Sequence, residues 1–223
     1  SLCLSGLAFG TRYQLHLLAG LPAEGGRALA RTRTLQIDTG HRAPSLWFAR
    51  HAYVLPQQGP RQVPLHSINV PKAAVRLYRI DGRNLAVPFI RQRIGGALSG
   101  YELERLVEDY GEAVWAGERP LSGSPDAASV SALALPAAHL QDPGLYVLTA
   151  RPLGDDAAPA DAPQPWEDLA TQWLVLTDTG LATYQGADGL TVLARSLAAA
   201  VPIAGTELTL YARNNRPLGR AVT

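Results

Sequence analysis

The sequence contains no methionine, one cysteine (Cys3) and one lysine (Lys72). A single cysteine excludes an internal disulfide framework. It leaves Cys3 either as a buried free thiol, the commonest state of a lone cysteine, or as half of a bridge to a cysteine outside these residues. A zinc cluster or a Cys-His catalytic pair is poorly supported, because the five histidines are scattered without ligand spacing. No apolar run approaches the ~20 residues that a membrane-spanning helix needs; no secretory leader is visible, and a piece lacking its start would not show one. Neither sign of charge dominates. Twenty basic and 19 acidic residues leave a net charge of +1, which gives no electrostatic ground for a nucleic-acid partner. Nearly all the cations are Arg, a skew that a GC-rich genome produces. The lack of Met even at position 1 predicts a piece of a longer polypeptide.

What is present is a chain of ordinary apolar content, 47%, with 17 prolines and 21 glycines spread throughout. That combination suits many short strands joined by turns. At 223 residues the chain can hold one large domain or about two of ordinary size. Residues 1–43 give a few strands, with Arg12–Leu17 and Thr32–Ile37 alternating polar and apolar. Those strands are too few for a closed sandwich and are expected to end a domain. Residues 44–153 supply seven strand candidates: Ser45–Phe48, Tyr53–Leu55, Val63–Asn69, Val75–Ile80, Ala113–Trp115, Ser129–Leu135 and Leu145–Ala150. Seven such strands are enough for a complete β-sandwich.

One stretch breaks this pattern. Leu103, Leu106, Val107 and Tyr110 recur at helical spacing, which predicts a short helix over Tyr101–Tyr110 inserted on an edge or face of the sheet. Residues 154–167 are rich in Pro, Ala and Asp, lack apolar periodicity and read as a linker or a long exposed loop. A fresh strand pattern then opens over Ala170–Leu181. With Gly189–Leu197 and Leu208–Asn215 it predicts that residues 168–223 begin a further domain.

The order of motifs resembles the N-terminal region of bacterial alpha-2-macroglobulin family proteins. The resemblance is carried by Leu2-Cys3-Leu4-Ser5-Gly6-Leu7, Tyr13, Ala19-Gly20-Leu21-Pro22 and Ala52-Tyr53-Val54-Leu55-Pro56. It continues through Asn69, Tyr78-Arg79-Ile80-Asp81-Gly82-Arg83-Asn84-Leu85, Glu112–Gly117, Pro143–Leu148, Ala170–Leu181, Arg195-Ser196-Leu197 and Ala212-Arg213-Asn214-Asn215. Thr179 departs from it, standing where Leu is expected in Asp-Leu-Gly-Leu.

The resemblance implies an all-β chain of tandem macroglobulin-like (Ig-like or fibronectin-like) antiparallel sandwiches, one complete and two partial. It implies a non-enzymatic part of a broad-range protease inhibitor, a trap protecting the periplasm and cell envelope. The parent would be a periplasmic lipoprotein anchored in the inner membrane. Its partners would be target proteases, a penicillin-binding protein in some members, and neighbouring domains of the same chain. The bait and thioester regions would lie outside these residues. Cys3 is followed by Leu4-Ser5-Gly6 and so does not carry the Cys-x-Glu-Gln thioester motif. An adhesion or scaffold array of Ig-like domains is the alternative.

Several residues invite a catalytic or binding reading. Asp38-Thr39-Gly40 and Asp178-Thr179-Gly180 each follow a strand, as the paired carboxylate loops of pepsin-like peptidases do. Ser45-Leu46-Trp47-Phe48 after the first adds to the likeness. His41 and Leu181 follow the two glycines where a small hydroxylated residue is required, so Asp-Gly turns at strand ends are the simpler account. No Gly-x-Ser-x-Gly elbow supports a Ser-His-Asp triad. His16 and His66 read as exposed strand positions, and His41, His51 and His139 fall in other strands and turns.

Asp155, Asp156 and Asp161 lack the regular oxygen spacing and Gly turn of a calcium loop. Glu102, Glu104, Glu108 and Asp109 read as the wet face of the helix. Trp47, Trp115 and Trp173 are expected in sandwich cores. Trp166 is expected to pin the linker onto a neighbouring domain, with a partner contact as the other reading. No catalytic, cofactor-binding or metal-binding residue is assigned, and no cofactor is expected.

Overall fold

A computed structural model describes residues 3–22, 25–49, 52–84, 87–153, 166–214 and 216–223. In chain order the elements are β1 (Arg12–Leu17), β2 (Arg33–Asp38), β3 (Ser45–Phe48), β4 (Ala52–Leu55), β5 (Gln62–Ile68), β6 (Lys72–Ile80), α1 (Pro88–Arg93), β7 (Leu98–Ser99) and α2 (Gly100–Tyr110). There follow β8 (Gly111–Pro120), β9 (Ser129–Ala134), β10 (Gly144–Pro152), β11 (Asp168–Leu176), β12 (Thr179–Gly186), β13 (Gly189–Ser196), β14 (Glu207–Tyr211) and β15 (Pro217–Val222). All seven strand candidates of residues 44–153 appear as strands, and the short helix appears as α2.

The centre of the molecule is a six-stranded sheet ordered β4-β11-β10-β6-β8, with β7 also paired to β11. Its ladders are antiparallel except β4 with β11, which run parallel. A three-stranded sheet, β3-β5-β9, lies over one face. Successive side chains of a strand point to opposite faces. Tyr146, Leu148, Leu174, Leu176, Val75 and Leu77 therefore meet Val63, Leu65 and Leu133 of the smaller sheet in one core. The intervening residues Leu145, Val147, Trp173, Tyr78 and Ile80 face the other way, onto Ile90, Leu98, Leu103 and Leu106. The helical segment thus roofs the second face. β10 is consequently buried over six consecutive residues, Leu145–Ala150, the run expected of a strand covered on both sides.

α2 starts at a capping box. The Ser99 hydroxyl accepts from the Glu102 amide, and the Glu102 carboxylate accepts from the Ser99 amide at 3.0 Å. Glu102 also pairs with Arg93 at the end of α1, so one member of the supposed wet face ties the two helices together. Leu103 and Leu106 are buried, and Val107 and Tyr110 pack beside them. Phe89 of α1 stacks on Tyr110 with centroids 5.4 Å apart.

The strand expected to open a new domain lies inside the central sheet. β11 pairs along its length with β10, from Gly144↔Leu176 to Ala150↔Ala170, and also with β4. The strands on either side of the expected linker, β10 and β11, are thus neighbours in one sheet; residues 154–165 of that segment lie outside the described residues. Asp155, Asp156 and Asp161 lie outside the described residues. The physical reason for the difference is the second apolar face of the sheet. Trp173 is fully buried under the helices, and its indole N–H donates to the Gly96 carbonyl at 2.9 Å. Nothing local in the sequence marks that destination.

Two further tryptophan expectations change. Trp166 is 78% exposed, uncovered by the described residues. Trp47 is only half-buried and stacks on His66, 5.3 Å between centroids. Trp115 packs against the first core with the Arg119 guanidinium 4.9 Å above its ring. Cys3 is an exposed free thiol, not a buried one.

Outside the sandwich, β1–β2, β12–β13 and β14–β15 are separate two-stranded hairpins. Leu181, Tyr184, Leu190, Leu193, Leu210 and Tyr211 on the last two are exposed.

Two measurements follow. Trp173→Ala should cost about 3–5 kcal/mol in urea unfolding, the usual range for deleting a buried Trp. A chain ending after Leu176 should unfold cooperatively, whereas one ending after Leu153 should not, because it exposes the β10 edge and both cores.

Candidate functional site

The two Asp-Thr-Gly turns do not form a dyad. Asp38, at the end of β2, accepts from the Gly40 amide at 2.9 Å and from Arg12 Nε at 3.3 Å. The Gly40 amide, followed by Arg12, holds its carboxyl below the ordinary value of 3.8. A shared-proton dyad sets a second carboxylate beside the first, and none is among the groups that act on Asp38. Asp178 accepts from the Ser196 hydroxyl at 2.8 Å and from the Ala198 amide at 2.9 Å, which closes the β12–β13 hairpin. The two aspartates belong to separate hairpins, and among the described residues no hydrogen bond or ion pair joins them. Thr39 accepts from the Thr11 amide at 3.0 Å and donates to the Ala8 carbonyl at 2.8 Å, so it also serves its own turn.

The histidines divide in the same way. His16 is exposed and bonds Thr34 across β1–β2 at 2.9 Å. His66 is half-buried under Trp47, His139 is exposed, and His51 lies outside the described residues.

His41 is different. It sits in the β2–β3 connection, and its Nδ1 lies 2.8 Å from Oδ2 of Asp126, 85 positions away in the loop between β8 and β9. The carboxylate can only accept, so Nδ1 carries the proton. Oδ1 of Asp126 accepts from the Arg42 amide at 2.7 Å and from Asn69 Nδ2 at 2.9 Å. Asn69, in the β5–β6 turn, completes the circuit. Its side chain donates to the Arg42 carbonyl at 2.7 Å and accepts from the Asp126 amide at 2.8 Å. The Arg42 guanidinium returns to the Asp126 carbonyl at 3.3 Å and lies 5.8 Å from the centroid of Phe9.

Three distant segments therefore meet on one carboxylate, whose side chain is only 10% exposed. Asn69 and Asp126 both hold left-handed backbone, φ 51° and 60°, a conformation that Asn and Asp tolerate better than other side chains. The Asn69 amide, the His41 ring and the Arg42 backbone together press the Asp126 carboxyl down to about 2. In return the Asp126 hydrogen bond raises the His41 imidazole above its ordinary 6.5.

This joint was not legible in the sequence. The sequence marks Asn69 and His41 separately and Asp126 not at all. The only available signals were the turn-forming Asn69-Val70-Pro71 and Ser124-Pro125-Asp126, which mark turns without saying that they meet.

Two of the open grooves among the described residues include polar side chains. One, of about 420 Å³, is lined by Arg79, Asp81, Asn84, Glu108, Asp109 and Glu112 at the base of α2. Despite its acidic rim, no group of three or more His, Cys, Asp or Glu among the described residues is placed to share a metal ion. The other, of about 450 Å³, runs beside the joint between the β5–β6 turn and Ser122, Ser124 and Ser129.

The joint can be probed at Gly10. This residue has φ +63°, and a Cβ there would stand 2.5 Å from Cε1 of His41 and 3.3 Å from the Asp126 carboxylate. Gly10→Ala should therefore cost about 1–2 kcal/mol for the left-handed backbone alone. It should also displace His41, read as loss of the His41–Asp126 contact in an imidazole NMR titration.

Residues 47–160 match the family model described as the bacterial alpha-2 macroglobulin MG2 domain, and residues 176–223 match the bacterial alpha-2-macroglobulin MG3 domain. The MG2 match ends before β11, although β11 is hydrogen-bonded within that sandwich. An alpha-2-macroglobulin of Xylella fastidiosa (strain 9a5c) is 26% identical over 203 residues, which cover 88% of this chain but 12% of that protein's length. A crystal structure of native alpha-2-macroglobulin from Escherichia coli spanning domains MG0-NIE-MG1 aligns with a TM-score of 0.66 at 20% identity, over 97% of this chain and 66% of that one. A mutant Salmonella alpha-2-macroglobulin aligns with a TM-score of 0.69 at 19% identity, over 99% of this chain and 12% of that one.

Proposed function

Because this chain belongs to the bacterial alpha-2-macroglobulin family, we propose that it is structural framework in a broad-range protease inhibitor and performs no catalysis itself. The observation that carries the reading is the family match itself, with MG2 over 47–160 and MG3 over 176–223. The chemistry of the residues supports it. Asp38 and Asp178, the residues most like a catalytic pair, are each occupied by donors of their own hairpin. The most connected polar group, Asp126, has its carboxylate oxygens occupied by Asn69, His41 and Arg42, and works as a tie between segments.

In this reading the parent protein is a trap. Cleavage of a bait segment elsewhere releases packed domains from one arrangement to another, and the protease is enclosed or tethered. These residues contribute stiffness and spacing to the domains that hold the bait and thioester regions in position. The proposed partners are target proteases, reached through those regions, together with neighbouring domains of the same chain. A penicillin-binding protein is the proposed partner in the cell wall machinery. The proposed location is the periplasm, with the parent anchored to the inner membrane as a lipoprotein. Among the described residues no helix is long and apolar enough to cross a membrane.

The full-length parent mixed with an endopeptidase should retain the enzyme, block its attack on a large protein substrate and leave small peptide substrates cleavable. If protein and peptide substrates are cleaved equally after mixing, the inhibitor reading fails. Asp38→Asn and Asp178→Asn should leave that trapping unchanged.

A further inference from the structure

We propose that Asp126, seated by Asn69, is a brace that locks the His41–Arg42 connection between the β1–β2 hairpin and the sandwich, and that protonation of His41 sets its grip. The brace joins parts of the chain that are linked in sequence by the connection between β2 and β3. β2 ends at Asp38 and β3 starts at Ser45. Between them the backbone amide and carbonyl of Arg42 are both held by the sandwich side, through Asp126 and Asn69 respectively. On the hairpin side the Gly10 amide donates to the Gly40 carbonyl at 2.6 Å, and Gly10 lies directly against the His41 ring. His41 thus touches the hairpin's Gly10 and the sandwich's Asp126 together.

The charges around that imidazole come from every packed segment. Asp126 approaches from the β8–β9 loop. Asp38 lies at the end of β2, with its charge partly answered by Arg12 of β1. Arg42 follows in the connection itself and directs its guanidinium to the Asp126 carbonyl. Asn69 of the β5–β6 turn is neutral. Two carboxylates therefore face the ring, and its cation is favoured. The ring is also 71% exposed, so protons reach it freely and solvent screens the pair.

The pH dependence follows from the two groups. His41, raised in the folded chain, contributes stability that is full below its ordinary 6.5 and is lost as pH rises through the higher folded value. Asp126, lowered to about 2, contributes stability that is full above its ordinary 3.8 and is lost as pH falls through about 2. The brace is therefore tightest between 3.8 and 6.5 and loosens on the alkaline side through His41 alone. In the neutral ring Nδ1–H still donates to Asp126, so loosening weakens the tie without severing it.

The test uses the 223-residue chain and two variants. Backbone hydrogen exchange of Gly10 and Arg42 is measured at about pH 5.5 and about pH 8.5, conditions that bracket a raised His. Protection of both amides should fall several-fold at the higher pH in the parent chain and stay level in His41→Gln. That substitution changes an exposed side chain and leaves both cores intact. The imidazole of His41 should titrate above 6.5 by NMR and return toward 6.5 in Asp126→Asn. Equal pH dependence in His41→Gln and the parent chain would overturn the proposal. So would a His41 that titrates at or below 6.5. Neither result would bear on protease trapping by the full-length parent, so the brace and the functional reading stand or fall separately.

Discussion

Covering both faces of one sheet is the constraint on which the rest of this structure depends. β6, β10 and β11 carry apolar residues at successive positions, so packing against a single partner layer would leave half of them in water. The β3-β5-β9 sheet covers one face, and α1, α2 and the segment up to Ser99 cover the other. At roughly 25 cal/mol per Å² of apolar surface removed from water, neither layer can be dispensed with. The helical insertion is therefore part of the fold's stability. Trp173 shows the dependence most directly, since its ring is enclosed only when β11 lies beside β10 and the turn at Gly96 closes over it.

Against that apolar centre the polar groups act mainly as ties between segments. Ser99, Glu102 and Arg93 hold the helices to each other, and Asp178 with Ser196 closes a hairpin. Asp126 with Asn69, Arg42 and His41 fixes the entry of the chain into the sandwich. Charged hydrogen bonds of this kind are short and directional, and they fix the relative position of the segments they join. A family whose members are built from successive domains needs such ties wherever one unit leads into the next. The same residue types that could have meant catalysis are here bound to their own turns.

Strand positions could be read from the sequence because period-two alternation and turn residues are local signals. Ser45–Phe48 was located to the residue, and α2 was anticipated from the spacing of Leu103, Leu106, Val107 and Tyr110. Strand partners could not be read in this way. Ala170–Leu176 looked like the start of something new because a polar, Pro-rich segment precedes it, yet it returns to pair with β10. Hydrogen-bond pairing across a long connection leaves no mark in local composition. The Asp126 joint was hidden for the same reason, its members being residues 41, 42, 69 and 126.

The sequence by itself determined the all-β character, the helical interruption and the lack of an internal disulfide, because each follows from periodicity or from residue count. Only the tertiary structure decided which strands are neighbours, that the sheet is covered twice, and which carboxylate gathers distant segments. Those outcomes depend on burying a second apolar face and on satisfying polar groups brought close by that burial. Neither condition can be evaluated until the chain is packed.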